Sequence, residues 1–216
     1  MKRSPLAAAV LRAAVGAVLG AVVGLGLAAA AEPPSPGEPP RFFGLEAAGR
    51  RIAYVCDRSA SMSEPEGVPL ADAKRELLAS IEALGESRQF HLLFYNERQS
   101  MFEPAGGRGR PMFADDSTLR EVRRFIDGTT AAGGTRHAEA IAAALRLAPD
   151  VIFLLTDADA AHDLSDAELE RLSGRLGATR MMVIQFGGGE GRRSPRLARL
   201  AAISGGDYRV VEPGAD

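Results

Sequence analysis

The sequence predicts an α/β fold: one doubly wound, mainly parallel sheet with helices on both faces and one short antiparallel edge strand. Two observations carry the prediction. Short runs that are apolar nearly throughout, rather than alternating, recur along the chain, as strands covered on both faces require. Amphipathic helical stretches separate those runs, giving the βα alternation of a parallel sheet.

The elements follow in order. Arg51 to Cys56 (Arg-Ile-Ala-Tyr-Val-Cys) reads as a buried strand. Leu70 to Leu84 places Leu70, Ala73, Leu77, Leu78, Ile81 and Leu84 on one helical stripe, and Gly85 sits where a left-handed cap would stop it. Phe90 to Tyr95 is a second strand, with Arg98 to Phe102 as the edge strand beside it and a Gly/Pro-rich loop from Glu103 to Pro111. Thr118 and Glu121 have the spacing of a capping box for a helix through Ile126, which Gly128 ends. His137 to Leu147 is the next helix. Asp150 to Leu155 is the most strand-like run of the chain, and Ser165 with Glu168 boxes a helix that stops at Gly177. Met181 to Phe186 is a strand. Ser194-Pro195 opens the last helix, Gly205 closes it, and Tyr208 to Val211 is the last strand.

Ahead of this body lie two segments of different character. Residues 1–31 carry Lys2, Arg3 and Arg12 but no acid, and Ala13 to Ala31 contains only Ala, Val, Leu and Gly. That is the pattern of a secretory signal peptide ending in an A-x-A site at Ala28 to Ala31. An uncleaved membrane anchor is the other reading, since about 19 apolar residues just span a bilayer core. Either way the domain is placed outside the cytoplasm, in the periplasm, secreted or tethered. Residues 32–45 begin with five prolines in nine residues and read as a semi-rigid linker. Residues 46–216 then make one domain.

Composition narrows the function classes. The 216 residues are 46% hydrophobic and 25% charged, as in an ordinary globular chain, with a net charge of −2. Without residues 1–31 the charge is −5. Nothing here attracts nucleic acid, and a membrane is met only through an uncleaved anchor. A single cysteine, Cys56, excludes an internal disulfide or a cysteine zinc cluster and reads as a buried strand thiol.

Three polar clusters fall at the expected ligand-binding edge of such a sheet, the carboxyl ends of the strands. They are Asp57-Arg58-Ser59-Ala60-Ser61 after the first long strand, Gly133-Gly134-Thr135 before the His137 helix, and Thr156-Asp157-Ala158-Asp159 after the strongest strand. In that order and context, Asp57-x-Ser59-x-Ser61, Gly133-Gly134-Thr135 and Thr156-Asp157 resemble the metal-ion-dependent adhesion site of von Willebrand factor type A domains. The likeness runs from about residue 50 to 212, over a Rossmann-like fold, in an exported single-domain form. It implies Ser59 and Ser61 as direct ligands of a divalent cation, and Asp57, Thr135 and Asp157 as ligands either direct or through water. Hard oxygen donors with few full charges suit Mg²⁺ first, with Mn²⁺ or Ca²⁺ also accommodated. The family uses such an ion to hold an Asp or Glu of a partner protein. Ala158 departs from the usual Thr-Asp-Gly, and Asp159 adds a carboxylate.

Other features have plainer readings. His91 and His137 read as packed or capping residues, Glu64-Pro65-Glu66 as a solvated loop, and Phe42-Phe43 as a seal on the sheet. Asp157-Ala158-Asp159 also resembles the nucleophile motif of haloacid-dehalogenase phosphatases, but that chemistry wants a downstream lysine and none follows Lys74. A G-x-S-x-G elbow and a P-loop are both missing. The expectation is therefore a non-enzymatic, extracytoplasmic protein-binding module. The alternative is a scaffold with a vestigial metal site and metal-independent partner binding.

Overall fold

Alternate residues of the apolar runs feed two separate cores, and this organises the molecule. The computed structural model describes residues 39–104, 109–157, 162–187 and 193–214. Strands β3 (Arg51–Asp57), β4 (Gln89–Tyr95), β7 (Val151–Thr156), β8 (Arg180–Phe186) and β9 (Tyr208–Val211) are parallel in the order β4-β3-β7-β8-β9. Ile52, Tyr54 and Cys56 of β3 share one core with Val151, Phe153 and Leu155 of β7. Ala53 and Val55 share the other with Ile152 and Leu154.

The helices cover both faces. On the first face lie α1 (Val68–Glu82), through Leu70, Ala73, Leu77 and Ile81, and α2 (Asp116–Asp127), through Val122 and Ile126. On the second lie α3 (His137–Leu145), α4 (Asp166–Ser173) and α5 (Pro195–Ile203). Helix α3 is rich in buried alanine, Ala138, Ala140, Ala143 and Ala144 among them, so its axis can run close to the central strands. Gly206, beyond α5, is equally constrained: a Cβ there would stand 2.0 Å from the Met181 carbonyl oxygen.

The edge beyond β4 is built from two antiparallel pieces. The expected edge strand is β5 (Gln99–Met101), paired with Leu93 to Tyr95. A second piece, β6 (Met112–Phe113), pairs with Gln89 and Phe90 farther down the same strand. A short hairpin, β1 (Arg41–Phe42) with β2 (Leu45–Glu46), precedes the sheet. It falls inside the stretch read as linker, yet Phe42 is fully buried and Ser80 of α1 donates to the Arg41 carbonyl at 2.6 Å. Among the described residues, packed structure thus already includes this hairpin and the buried Pro40 before it. Phe42 stands edge-on to Tyr54 and Phe153, so the aromatic pair does close the sheet.

Helix ends differ from the sequence reading in one instructive place. The N-cap of helix α2 lies three residues before Thr118: it is Asp115, whose side chain accepts from the Thr118 backbone N–H at 2.8 Å. An Asp-Asp-Ser run offers several capping oxygens, and the first one wins. Helix α4 has the expected capping box, with Ser165 and Glu168 bonded reciprocally. Cys56 is buried and its thiol is pushed up by burial, so it stays a neutral packing group. No helix among the described residues is long and apolar enough to cross a membrane. Residues 1–31, read from the sequence as a signal peptide or anchor, and most of the proline run lie outside the described residues.

Candidate metal centre

The chain reverses its direction of travel along the sheet between β3 and β7, so their carboxyl ends form the topological switch point. The three polar clusters meet there. Ser59, Ser61, Gly133, Gly134, Thr135 and Asp157 line one cavity of about 550 Å³. Asp57 does not line it but sits beneath, fully buried at the last position of β3.

Asp57 organises the floor. Its Oδ1 accepts from the Ser59 N–H at 2.8 Å, which turns the chain sharply after the strand. Its Oδ2 accepts from the Thr156 hydroxyl at 2.9 Å, tying the ends of β3 and β7 together. Even so, burial pushes its carboxyl up to about 6, with the nearby Asp157 charge acting in the same direction and the hydrogen bonds only partly offsetting it. A buried carboxylate held above its ordinary range is one whose charge the chain does not neutralise.

Above it, the Ser59 and Ser61 hydroxyls are hydrogen-bonded to each other, their oxygens 3.1 Å apart. Two neighbouring ligands of an octahedral ion, each about 2.1 Å from it, would be about 3.0 Å apart. The pair therefore fits a small, hard divalent cation with oxygen ligands. No group of three or more His, Cys, Asp and Glu side chains that could hold a metal lies among the described residues. A cation here would depend on hydroxyls as well as carboxylates.

The Thr135 loop is fastened to this floor by backbone and by one side chain missed in the sequence. Ala60 N–H donates to the Gly133 carbonyl at 2.9 Å, and Ala132 N–H to the Arg58 carbonyl at 2.9 Å. Asn96, just past β4, donates from Nδ2 to the Ala132 carbonyl at 2.5 Å, and its own carbonyl accepts from Arg136 N–H at 3.1 Å. Its Oδ1 accepts from Arg98 N–H, which fixes the amide. The only signal in the sequence was a lone Asn after an apolar strand, which reads equally as a turn residue. Gly133 has φ +76°, so a side chain there would cost about 1 kcal/mol and press on Asn96.

The remaining candidates fall as follows. His137 is buried, its Nδ1 hydrogen-bonded to the Tyr95 hydroxyl at 2.8 Å, and burial lowers it to about 4; it is a neutral packing residue. His91 is buried within β4 and lowered likewise. Arg136 is exposed, paired with Glu139 at 3.6 Å. Glu64 and Pro65 are exposed as expected but also line the cavity, so they belong to its rim. His162, Gln185, Phe186 and Glu212 form the wall on the β8–β9 side. Lys74 donates to the Asp127 carbonyl on α2 and does not line the cavity. Ala158 and Asp159 lie outside the described residues.

Comparison with known proteins gives the same picture of the fold. A family model described as von Willebrand factor type A domain matches residues 50–210. Among solved structures, a von Willebrand factor type A protein from Catenulispora acidiphila is similar with a TM-score of 0.66 and 22% identity, covering 77% of this chain and 39% of that one. A conserved hypothetical protein, BatB from Bacteroides thetaiotaomicron, is similar with a TM-score of 0.56 and 16% identity over 77% of this chain and 92% of that one. A manganese-loaded TRAP protein of Plasmodium vivax gives 0.51 and 16%, over 76% and 68%. The chain spans about two fifths of the length of the Catenulispora protein. No curated protein matches it.

Proposed function

From the premise that the chain belongs to the von Willebrand factor type A family, we propose that its carboxyl-edge cavity holds a divalent cation and, with it, an acidic side chain of a partner protein. Domains of this family are typically protein-interaction modules. The observation that carries the finer reading is the Ser59–Ser61 hydroxyl pair, 3.1 Å apart, over the buried Asp57 carboxylate.

The positions of the residues support the following roles. Ser59 and Ser61 offer hydroxyl oxygens to the ion. Asp57 lies below the cavity lining and supplies negative charge through water or through the serine turn it braces. Thr135 and Asp157 reach the same cavity from the other two loops. A bound Mg²⁺, or Mn²⁺ or Ca²⁺ in its place, would supply an electrophilic coordination position for a carboxylate oxygen. Few full charges around the site keep that position attractive to an outside acid, so cation and partner affinities are linked. We place the domain outside the cytoplasm, delivered by residues 1–31. The role is binding rather than turnover: the domain's one lysine is engaged elsewhere, so a phosphoryl intermediate on Asp157 would lack its neutralising group.

Calorimetric titration with Mg²⁺, Mn²⁺ and Ca²⁺ tests the reading, with Asp157→Ala beside the unaltered protein. Saturable binding that the substitution abolishes supports it. Then a Glu-containing peptide should bind only with the ion present. Equal peptide binding with and without metal would instead favour a metal-independent scaffold.

A further inference from the structure

We propose that the chain carries a second ligand site, for an oxyanion, in a cleft between the carboxyl end of β3 and the C-terminal turn of α2. The cleft, about 400 Å³, is walled by Arg58, Ser100, Arg124, Phe125 and Thr130. It lies on the β5 side of the Asp57–Ser59 turn and shares none of its lining with the candidate metal centre.

Two arginines and no carboxylate line this cleft. Arg41, Arg51, Arg75, Arg123, Arg136 and Arg196 each pair with a carboxylate. Among the described residues Arg58 and Arg124 have no such partner, although both face one cavity. Among the described residues Arg58 is held by neutral groups at long range: Nη1 donates to the Thr130 carbonyl at 3.3 Å and Nη2 to the Ser100 hydroxyl at 3.5 Å. Its Nε is buried and has no hydrogen-bond partner among the described residues. A buried donor on a cationic group is costly to leave unsatisfied, and a second guanidinium in the same cleft adds repulsion.

An oxyanion relieves both. The Nε and Nη2 edge of a guanidinium matches two oxygens of a carboxylate or phosphate, and Arg124 supplies a second charge across the cleft. The Ser100 hydroxyl adds a neutral donor, whereas Thr129 cannot, since its hydroxyl is spent on the Phe125 carbonyl at 3.0 Å. The negative end of the α2 dipole opposes an anion here, but that field is a partial charge fading within a turn and two full positive charges outweigh it. The inference is independent of the cation reading, because neither arginine belongs to that site's lining.

The test is calorimetric titration of the metal-free protein with inorganic phosphate and, separately, with glutarate as a stand-in for a protein carboxylate. The expected result is saturable binding of at least one probe, weakened about tenfold or more by Arg124→Gln and by Arg58→Gln. Arg120→Gln, on the same helix but lining only the neighbouring cleft, should leave it unchanged. Tighter phosphate binding assigns the site to free phosphate; tighter glutarate binding assigns it to an acidic side chain of a partner. No saturable binding of either probe overturns the proposal. So does an Arg120→Gln loss equal to that of Arg124→Gln, which would reduce the effect to diffuse charge attraction. Arg124 is exposed on the helix surface, so its variant keeps the test valid even if Arg58→Gln folds poorly.

Discussion

Two aspartates at opposite ends of the central strands show how differently the two edges of the sheet are built. Asp150, at the amino edge before β7, is partly exposed. It accepts from the Arg50 and Arg51 N–H groups at 2.7 and 3.0 Å and pairs with the Arg51 guanidinium. Those hydrogen bonds and that charge outweigh its desolvation and hold its carboxyl below the usual range. Asp57, at the carboxyl edge, is buried, has Asp157 as its charged neighbour, and is pushed up to about 6. The first aspartate completes the fold. The second strains it, and a group whose charge is opposed by its surroundings marks a place kept for something else.

Removing Asp57 should break the contrast most severely. Asp57→Ala is expected to abolish cation binding in calorimetry. Asp57→Asn should do the same while stabilising the metal-free protein, because it deletes a buried charge but can keep both hydrogen bonds. The shift from 3.8 to about 6 limits that gain to about 3 kcal/mol at neutral pH, read by urea denaturation.

Asn96→Ala is next. It unfastens the Thr135 loop without touching the ligands, and should weaken cation affinity about tenfold at a stability cost of about 1 kcal/mol from its lost hydrogen bonds.

Acidification sharpens the same comparison. The folded-state carboxyl of Asp57 lies above its unfolded value. The metal-free fold therefore takes up a proton as pH falls through about 6, and this group's destabilisation is relieved between there and about 3.8. Cation affinity should be flat above about pH 6 and fall by up to roughly tenfold per unit below it. His137 acts oppositely on stability. Its folded value near 4 lies below the ordinary 6.5, so it costs stability as pH falls through that window. Asp57→Asn should expose the contribution of His137, together with that of the likewise lowered His91, as a loss of stability from pH 6.5 downward.

Asp150→Ala has the smallest expected effect. It should cost about 1 kcal/mol of stability from lost hydrogen bonds and leave cation affinity unchanged. A variant that weakened both would show that the two edges are not independent.

Much of this was readable from the sequence for a definite reason. Strands buried on both faces are apolar at every position, so β3, β4, β7 and β8 stood out within a residue of their true ends. The two-residue pieces β1, β2 and β6 did not, because a strand of two carries no period; Phe42 was legible only as an apolar pair near the linker. The clusters around Asp57, Gly133 and Asp157 were legible because polar residues must gather where apolar strands stop. What sequence order hides is the third dimension of the site. Asn96 reaches the Ala132 carbonyl across 36 positions, and Arg58, the unremarked second residue of its motif, shares a cleft with Arg124 on another element.

Anomalous diffraction from crystals soaked in Mn²⁺ tests the cation site most directly. A peak is expected about 2.1 Å from both the Ser59 and Ser61 hydroxyl oxygens, and it should disappear in Asp57→Ala crystals. Full occupancy anywhere else, or no peak above Asp57 at millimolar Mn²⁺, would contradict that site.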